Sequence, residues 1–390
     1  MSQQKLSEKL HILLLGAAHS LNHSLFVIAP PLLALIMADL GVTKSVIGAV
    51  STAASFLYGV GALVGGPLGD KIGETKTITV CLAFSGLSTV IMLAASAFRS
   101  IYLYGLALIL MASWASLYHP TANSLISKAF KGKVAESMGL HGVGGTLGVV
   151  LTPTVAWIIG STFGWSWAFV TFGILCILLA FLFAKKFRKT NNGKNYGGTI
   201  IDALKIRELW LLLIFNVAIG LFMKGVELYF PTYINENRQV DQAWASVALT
   251  LVLAAGVPGQ WIGGKAADMF GSKKVLIATS LGVCAGFLCL LFVPIYVVGV
   301  AAFILLYGLS FYAHQPALNS LAGFLSPQNQ RGAVYGVFFF TSFGIGSISQ
   351  LIAGFIADSY GLDAAFYLLA MFAVAALLLS FKLPKKTEHT

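Results

Sequence analysis

Charge is scarce in this sequence: Asp, Glu, Lys and Arg make up 10% of 390 residues, against 57% hydrophobic, with a mean hydropathy of +0.84. So few charges cannot supply the polar surface of a soluble domain of this length, which excludes a soluble enzyme or binding module as the whole chain. Cysteine is scarce too. Cys81, Cys176, Cys284 and Cys289 stand singly in apolar surroundings, with no C-x-x-C pair and no metal-ligand spacing. They read as small hydrophobes, and no disulfide framework, metal centre or cofactor is expected. No cleavable signal is evident, because the first apolar run is too long and lacks a small-residue cleavage site. Nor is there a nucleophile–base pair or a soluble catalytic segment, so the chain is not expected to be an enzyme.

What the sequence holds instead is a series of apolar runs of roughly 20 residues, the length that crosses a hydrocarbon core. Twelve are expected, near 11–38, 46–68, 76–97, 101–127, 136–160, 165–184, 208–233, 243–266, 274–295, 297–324, 331–358 and 363–382. The net charge of +11 follows the segments between them. With the N-terminus inside, 21 of the 25 cations fall in cytoplasmic segments, only Lys44, Arg99 and Arg238 in outer loops, and Lys224 within a span. Positive residues favour cytoplasmic loops, so this split predicts an even number of spans, both termini inside, and a place in the cytoplasmic membrane. The basic balance is therefore a signature of topology, and no nucleic-acid partner is expected.

An internal repeat divides the chain. GPLGDKIGETK (66–76) after span 2 is echoed by GGKAADMFGSKK (263–274) after span 8, with Asp70 matching Asp268 and Gly73 matching Gly271. YHPTANSL (118–125) is echoed by YAHQPALNSL (312–321), so that Pro120 pairs with Pro316 and Asn123 with Asn319. Two copies are expected: an N-terminal six-helix half over 1–184 and a C-terminal half over 208–390. A basic cytoplasmic linker over 185–207 joins them. Small-xxx-small steps such as Gly144 to Gly148, followed by Pro153, read as close helix contacts. A nucleotide-binding reading of GVGGTLG (142–148) fails for want of a preceding strand.

The loop GPLGDKIGETK resembles the signature loop of the major facilitator superfamily, and GVGGTLGVVLTP (142–153) resembles the glycine/proline motif of that family's proton-coupled exporters. The resemblance covers the whole chain. It implies an all-α integral membrane protein with twelve transmembrane helices in two pseudo-symmetric six-helix bundles. It also implies a cytoplasmic latch at Asp70 and Lys71, with Asp268 as a weaker counterpart. HSLNH (19–23) with YHPTA (118–122) further resembles the fosmidomycin-resistance group of drug exporters. The chain departs from that group at His23, where the group places an aspartate, so if that aspartate handles protons this chain couples differently or not at all.

Polar groups inside lipid are expensive and mark function by default. They fall in four spans: His19, Asn22 and His23 in span 1; His119 and Asn123 in span 4; Lys224 and Glu227 in span 7; His314, Gln315 and Asn319 in span 10. In the family these four helices line the central cavity. His19 and His23, four apart, share a helix face. His314 is one residue out of register with His119 when the prolines are aligned. Lys224 and Glu227, three apart, admit two readings: mutual neutralisation, or a gated cation for an anionic solute with a proton-dependent partner.

The expected function is secondary active transport of a small organic solute, anionic or zwitterionic, by alternating access. The expected coupling is export in exchange for protons carried by histidine and Glu227, by a monomer. The alternative is an importer of organic anions on the same fold. A membrane sensor that does not transport is the remaining reading.

Overall fold

The computed structural model describes residues 3–129, 134–186, 200–327 and 331–384. Among them every regular element is helical. Twelve helical stretches are long and apolar enough to cross a membrane, from Leu10–Leu40 to Leu362–Lys382, and each falls on one of the twelve expected runs.

The chain divides into two compact units, Met1–Thr43 with Ala53–Asn195, and Lys44–Thr52 with Tyr196–Thr390. Of the segment 185–207 read as a linker, residues 187–199 fall outside the described residues. One boundary differs from the sequence reading: Lys44–Thr52 belongs to the second unit rather than to the half over 1–184. The reason is local. The N-cap of its helix, Thr43, makes no side-chain cap, and the carboxylate of Asp358 accepts instead from Lys44 N at 3.0 Å and Ser45 N at 2.7 Å. An anion is favoured there because the first N–H groups of a helix have no partner within it. Lys44 Nζ also pairs with Glu236 at 3.0 Å.

In the first unit the helices are α1 (Gln3–Val27), α2 (Ala29–Leu40), α3 (Lys44–Ile72, from Ala53 onward), α4 (Glu74–Ser88) and α5 (Ile91–Ala97). They continue with α6 (Ile101–Ala115), α7 (Tyr118–Ala129), α8 (Val134–Phe163) and α9 (Trp165–Lys186). Several spans are built from two helices, and proline accounts for the two breaks that matter here. Pro30 and Pro31 open α2 and end α1. Pro120, which has no N–H to donate back one turn, follows the break at Ser116–Leu117 between α6 and α7. α1 packs along α8, and α4 along α9. A core of Leu15, Ala18, Cys81, Tyr118, Ile126 and Phe183 lies where α1, α4, α7 and α9 meet.

The second unit comprises α10 (Ile200–Leu204), α11 (Arg207–Arg238), α12 (Gln242–Ala254), α13 (Gly256–Phe270), α14 (Ser272–Phe292) and α15 (Tyr296–Leu325). After α16 (Arg331–Phe339) comes a π-helical turn, Phe340–Ile345, then α17 (Ile348–Tyr360) and α18 (Leu362–Lys382). α15 runs unbroken through Pro316, unlike its counterpart in the first unit.

The turns repeat as the sequence repeat requires. Gly73 and Gly271 end α3 and α13 with φ of 94° and 86°, and Gly164 and Gly361 open α9 and α18 with φ of 100° and 85°. These values lie in the region that side chains with a Cβ rarely enter.

Candidate functional site

The first unit gathers four histidines. His19 and His23 project from successive turns of α1, and their Nε2 atoms lie 2.9 Å apart. The His119 ring sits 5.0 Å from each of them, edge-on. His141, on α8, stacks flat against His19 at 4.0 Å with 7° between the rings. His19 is buried, and His23 and His119 are half-buried.

The hydrogen bonds fix the proton positions. Nδ1–H of His19 donates to the carbonyl of His141 at 2.8 Å, which leaves its Nε2 as the acceptor from His23 Nε2–H. The Tyr118 hydroxyl donates to Leu15 O at 2.8 Å, so it accepts from Nε2–H of His141 at 3.0 Å. An imidazole carries one donor and one acceptor when neutral, and each assignment follows from that rule.

Two sequence features place these rings. Pro120 comes directly after His119, at the start of the helix that follows the break in span 4, and Ala115, the last residue of α6, stands at the other side of that break. Asn22 fills the gap: its Nδ2 donates to Ala115 O at 2.9 Å while its Oδ1 accepts from Tyr58 at 3.1 Å. Asn22→Ala is therefore expected to cost about 1–2 kcal/mol, seen as a lower thermal midpoint, because the buried Ala115 carbonyl loses its amide donor and keeps only the weaker Cys81 Sγ–H. Tyr58→Phe, which leaves the Ala115 bond in place, should cost less.

The second feature is the glycine run of α8. A Cβ at Gly145 would lie 2.4 Å from the His19 ring, and one at Gly144 or Gly148 would lie 2.3 Å from Gly16 O or 2.2 Å from Ser20 O. The absence of side chains there brings α8 onto α1 and sets His141 over His19. Pro153 lies further along α8, within the helix.

His141 was not anticipated from the sequence. The signal was present, since His141, Gly145 and Gly148 lie on one helical stripe.

In the second unit, Lys224 and Glu227 project from α11 and form an ion pair of 2.8 Å. The Lys224 side chain is 3% exposed and that of Glu227 19%. The ammonium also lies 4.4 Å from the centre of the Phe343 ring, in the π-helical turn. That turn is held against α11 by Asn216, which donates to Phe338 O at 2.7 Å and Thr341 Oγ1 at 2.8 Å.

His314 does not join this pair. It bonds the Phe311 carbonyl of its own helix and lines a small gap with Ile219, Thr279, Ser280 and Ala376, from α11, α14 and α18. One residue of register is a rotation of about 100° on a helix, which accounts for the difference from His119. Gln315, the positional counterpart of His119, is half-buried and accepts from Gln260 at 3.4 Å. Asn123 and Asn319 are both exposed.

Of the latch residues, Lys71 is exposed at the end of α3, and the side chain of Asp70 lies outside the described residues. Asp268 is exposed near the end of α13.

These features match a known family. The profile described as Major Facilitator Superfamily covers residues 12–350. The chain belongs to the major facilitator superfamily. It is 27% identical over 314 residues to the fosmidomycin resistance protein of Escherichia coli K12, covering 78% of this chain and 75% of that one. It is 24% identical over 386 residues to a D-galactonate transporter of E. coli O6:H1, covering 88% and 87%. A solved bacterial homologue of the human lysosomal transporter Spinster shares the fold, with a TM-score of 0.79 at 16% identity over 98% of each chain. This major facilitator protein is thus a multi-pass membrane transporter of small solutes and not an enzyme.

Proposed function

We propose that this transporter moves a small organic anion together with a proton by alternating access, and that Lys224 and Glu227 carry the two. The observation that supports this is the ion pair itself: a cation with 3% of its side chain exposed, held at 2.8 Å by a single carboxylate. An ammonium in such a place is costly unless it is paired. A solute carboxylate that takes Lys224 from Glu227 leaves Glu227 without its cation, and a proton on Glu227 restores neutrality. Anion and proton therefore bind together.

That sense of coupling favours the importer reading over exchange for protons, in which the proton must expel the solute. The D-galactonate relative is named for an organic acid anion, as is a probable sulfoacetate transporter of Cupriavidus necator, 26% identical over 257 residues and covering 60% of this chain and 59% of that one. The similarity to a resistance protein supports the second reading, proton-driven export. The 21-to-3 division of cations supports a cytoplasmic membrane location with both termini inside.

The test is uptake of labelled sugar-acid anions by proteoliposomes. An alkaline interior is expected to drive accumulation, and a protonophore to abolish it. Accumulation that ignores the gradient would sink proton coupling, and accumulation driven by an acidic interior would establish exchange instead.

A further inference from the structure

The geometry points to a binding site for a divalent transition-metal ion of the zinc class, formed in the first unit by His19, His23 and His119. It goes beyond the anion reading and shares no residue with Lys224 or Glu227. One ring nitrogen from each of the three histidines lies within 4.8 Å of the other two. Nitrogen ligands about 2.0–2.1 Å from a tetrahedral Zn²⁺ stand about 3.3 Å from one another. His19 and His23 already place their Nε2 atoms 2.9 Å apart, so accepting an ion asks for an opening of a few tenths of an ångström there and an approach by His119.

The arrangement around His19 is the one a metal ligand needs. Its Nδ1–H is held by the His141 carbonyl at 2.8 Å and its ring is clamped by the His141 ring at 4.0 Å. That fixes the tautomer and aims the Nε2 lone pair at the other two rings, as second-shell partners do for ligating histidines. His23 is the ring that adjusts. In the ion-free cluster it donates Nε2–H to His19, and to become a ligand it carries its proton on Nδ1, so no proton leaves the protein. His23 is half-buried, which leaves the cluster an approach side at that ring.

Three imidazoles select Zn²⁺, Ni²⁺, Co²⁺ and Cu²⁺ over Mg²⁺ and Ca²⁺, which require oxygen ligands. The set supplies no charge and leaves a fourth position open, so water or a small anion completes the ion's shell. Because His19 and His23 belong to α1 and His119 to α7, a bound ion ties span 1 to the helix that follows the break in span 4.

The experiment uses the purified full-length transporter with any affinity tag removed. It titrates Zn²⁺ against a chromophoric chelator and records the visible spectrum with Co²⁺. One ion per chain is expected, with a tetrahedral Co²⁺ spectrum that lacks a thiolate charge-transfer band. His23→Ala and His119→Gln should each weaken binding by more than the roughly 10–100-fold that loss of an outer-shell partner costs. His11→Ala and His314→Ala should bind as the parent does. Equal affinity in the parent and in the His23 and His119 variants would overturn the site, as would an octahedral, aqueous-type Co²⁺ spectrum in the parent. The Co²⁺ result decides the matter even where a variant does not fold.

Discussion

Lys224→Ala is expected to abolish uptake of organic anions into proteoliposomes and to lower the thermal midpoint of the protein. The two effects have different origins, and a double variant separates them. Removing one partner of a buried pair costs about 3–5 kcal/mol because the other charge is stranded. Here the cost is smaller, since Glu227 keeps 19% of its side chain exposed. In Lys224→Ala with Glu227→Gln no charge is stranded, and most of the lost stability should return. Transport should not return, because the cation that attracts the solute is still missing. Wild-type uptake by the double variant would reduce the pair to a structural neutralisation, the other reading its three-residue spacing allows.

Gly148→Val is the second large effect, and it concerns the scaffold. A Cβ at this position meets the Ser20 carbonyl at 2.2 Å and the Ser20 Cα at 2.6 Å, and backbone cannot swing aside as a flexible side chain can. α8 must move off α1, which removes the packing that holds the histidine cluster together. Overpacking of this kind costs about 1–3 kcal/mol, and at a backbone-to-backbone contact the upper end applies. Gly142→Ala on the same helix supplies the contrast. A Cβ there meets nothing within 4 Å, and alanine is favoured over glycine in a helix interior, so a gain of up to about 1 kcal/mol is expected. Thermal melts of the two purified variants check both signs. Equal loss in both would mean that the α1–α8 contact is not the origin.

The spans and the duplication were legible because each depends on composition over some twenty residues, and a long window averages out local exceptions. Features that depend on one residue fared unevenly. Pro120 and Pro316 are matched in sequence, yet only the first accompanies a broken span. At the broken span, Asn22 comes from another helix to donate to the Ala115 carbonyl. Nothing within the YHPTA segment announces that partner. The one-residue offset of His314 from His119 was legible in the sequence, but not where it leads, which is to a gap lined from α14 and α18. His141 escaped for the opposite reason. Its importance comes from the closeness of two helices, and that closeness is written in the glycines beside it rather than in the histidine itself.

Gly73 and Gly271, with Gly164 and Gly361, hold positive-φ turns at matching places in the two units, while the polar residues buried in the two units differ. One unit holds a cluster of imidazoles, and the other holds a lysine and a glutamate. A φ of this kind asks for glycine in either unit, so a residue with a Cβ at any of the four turns would strain the unit that carries it. The two units thus place the same demand on their turns while burying different chemistry.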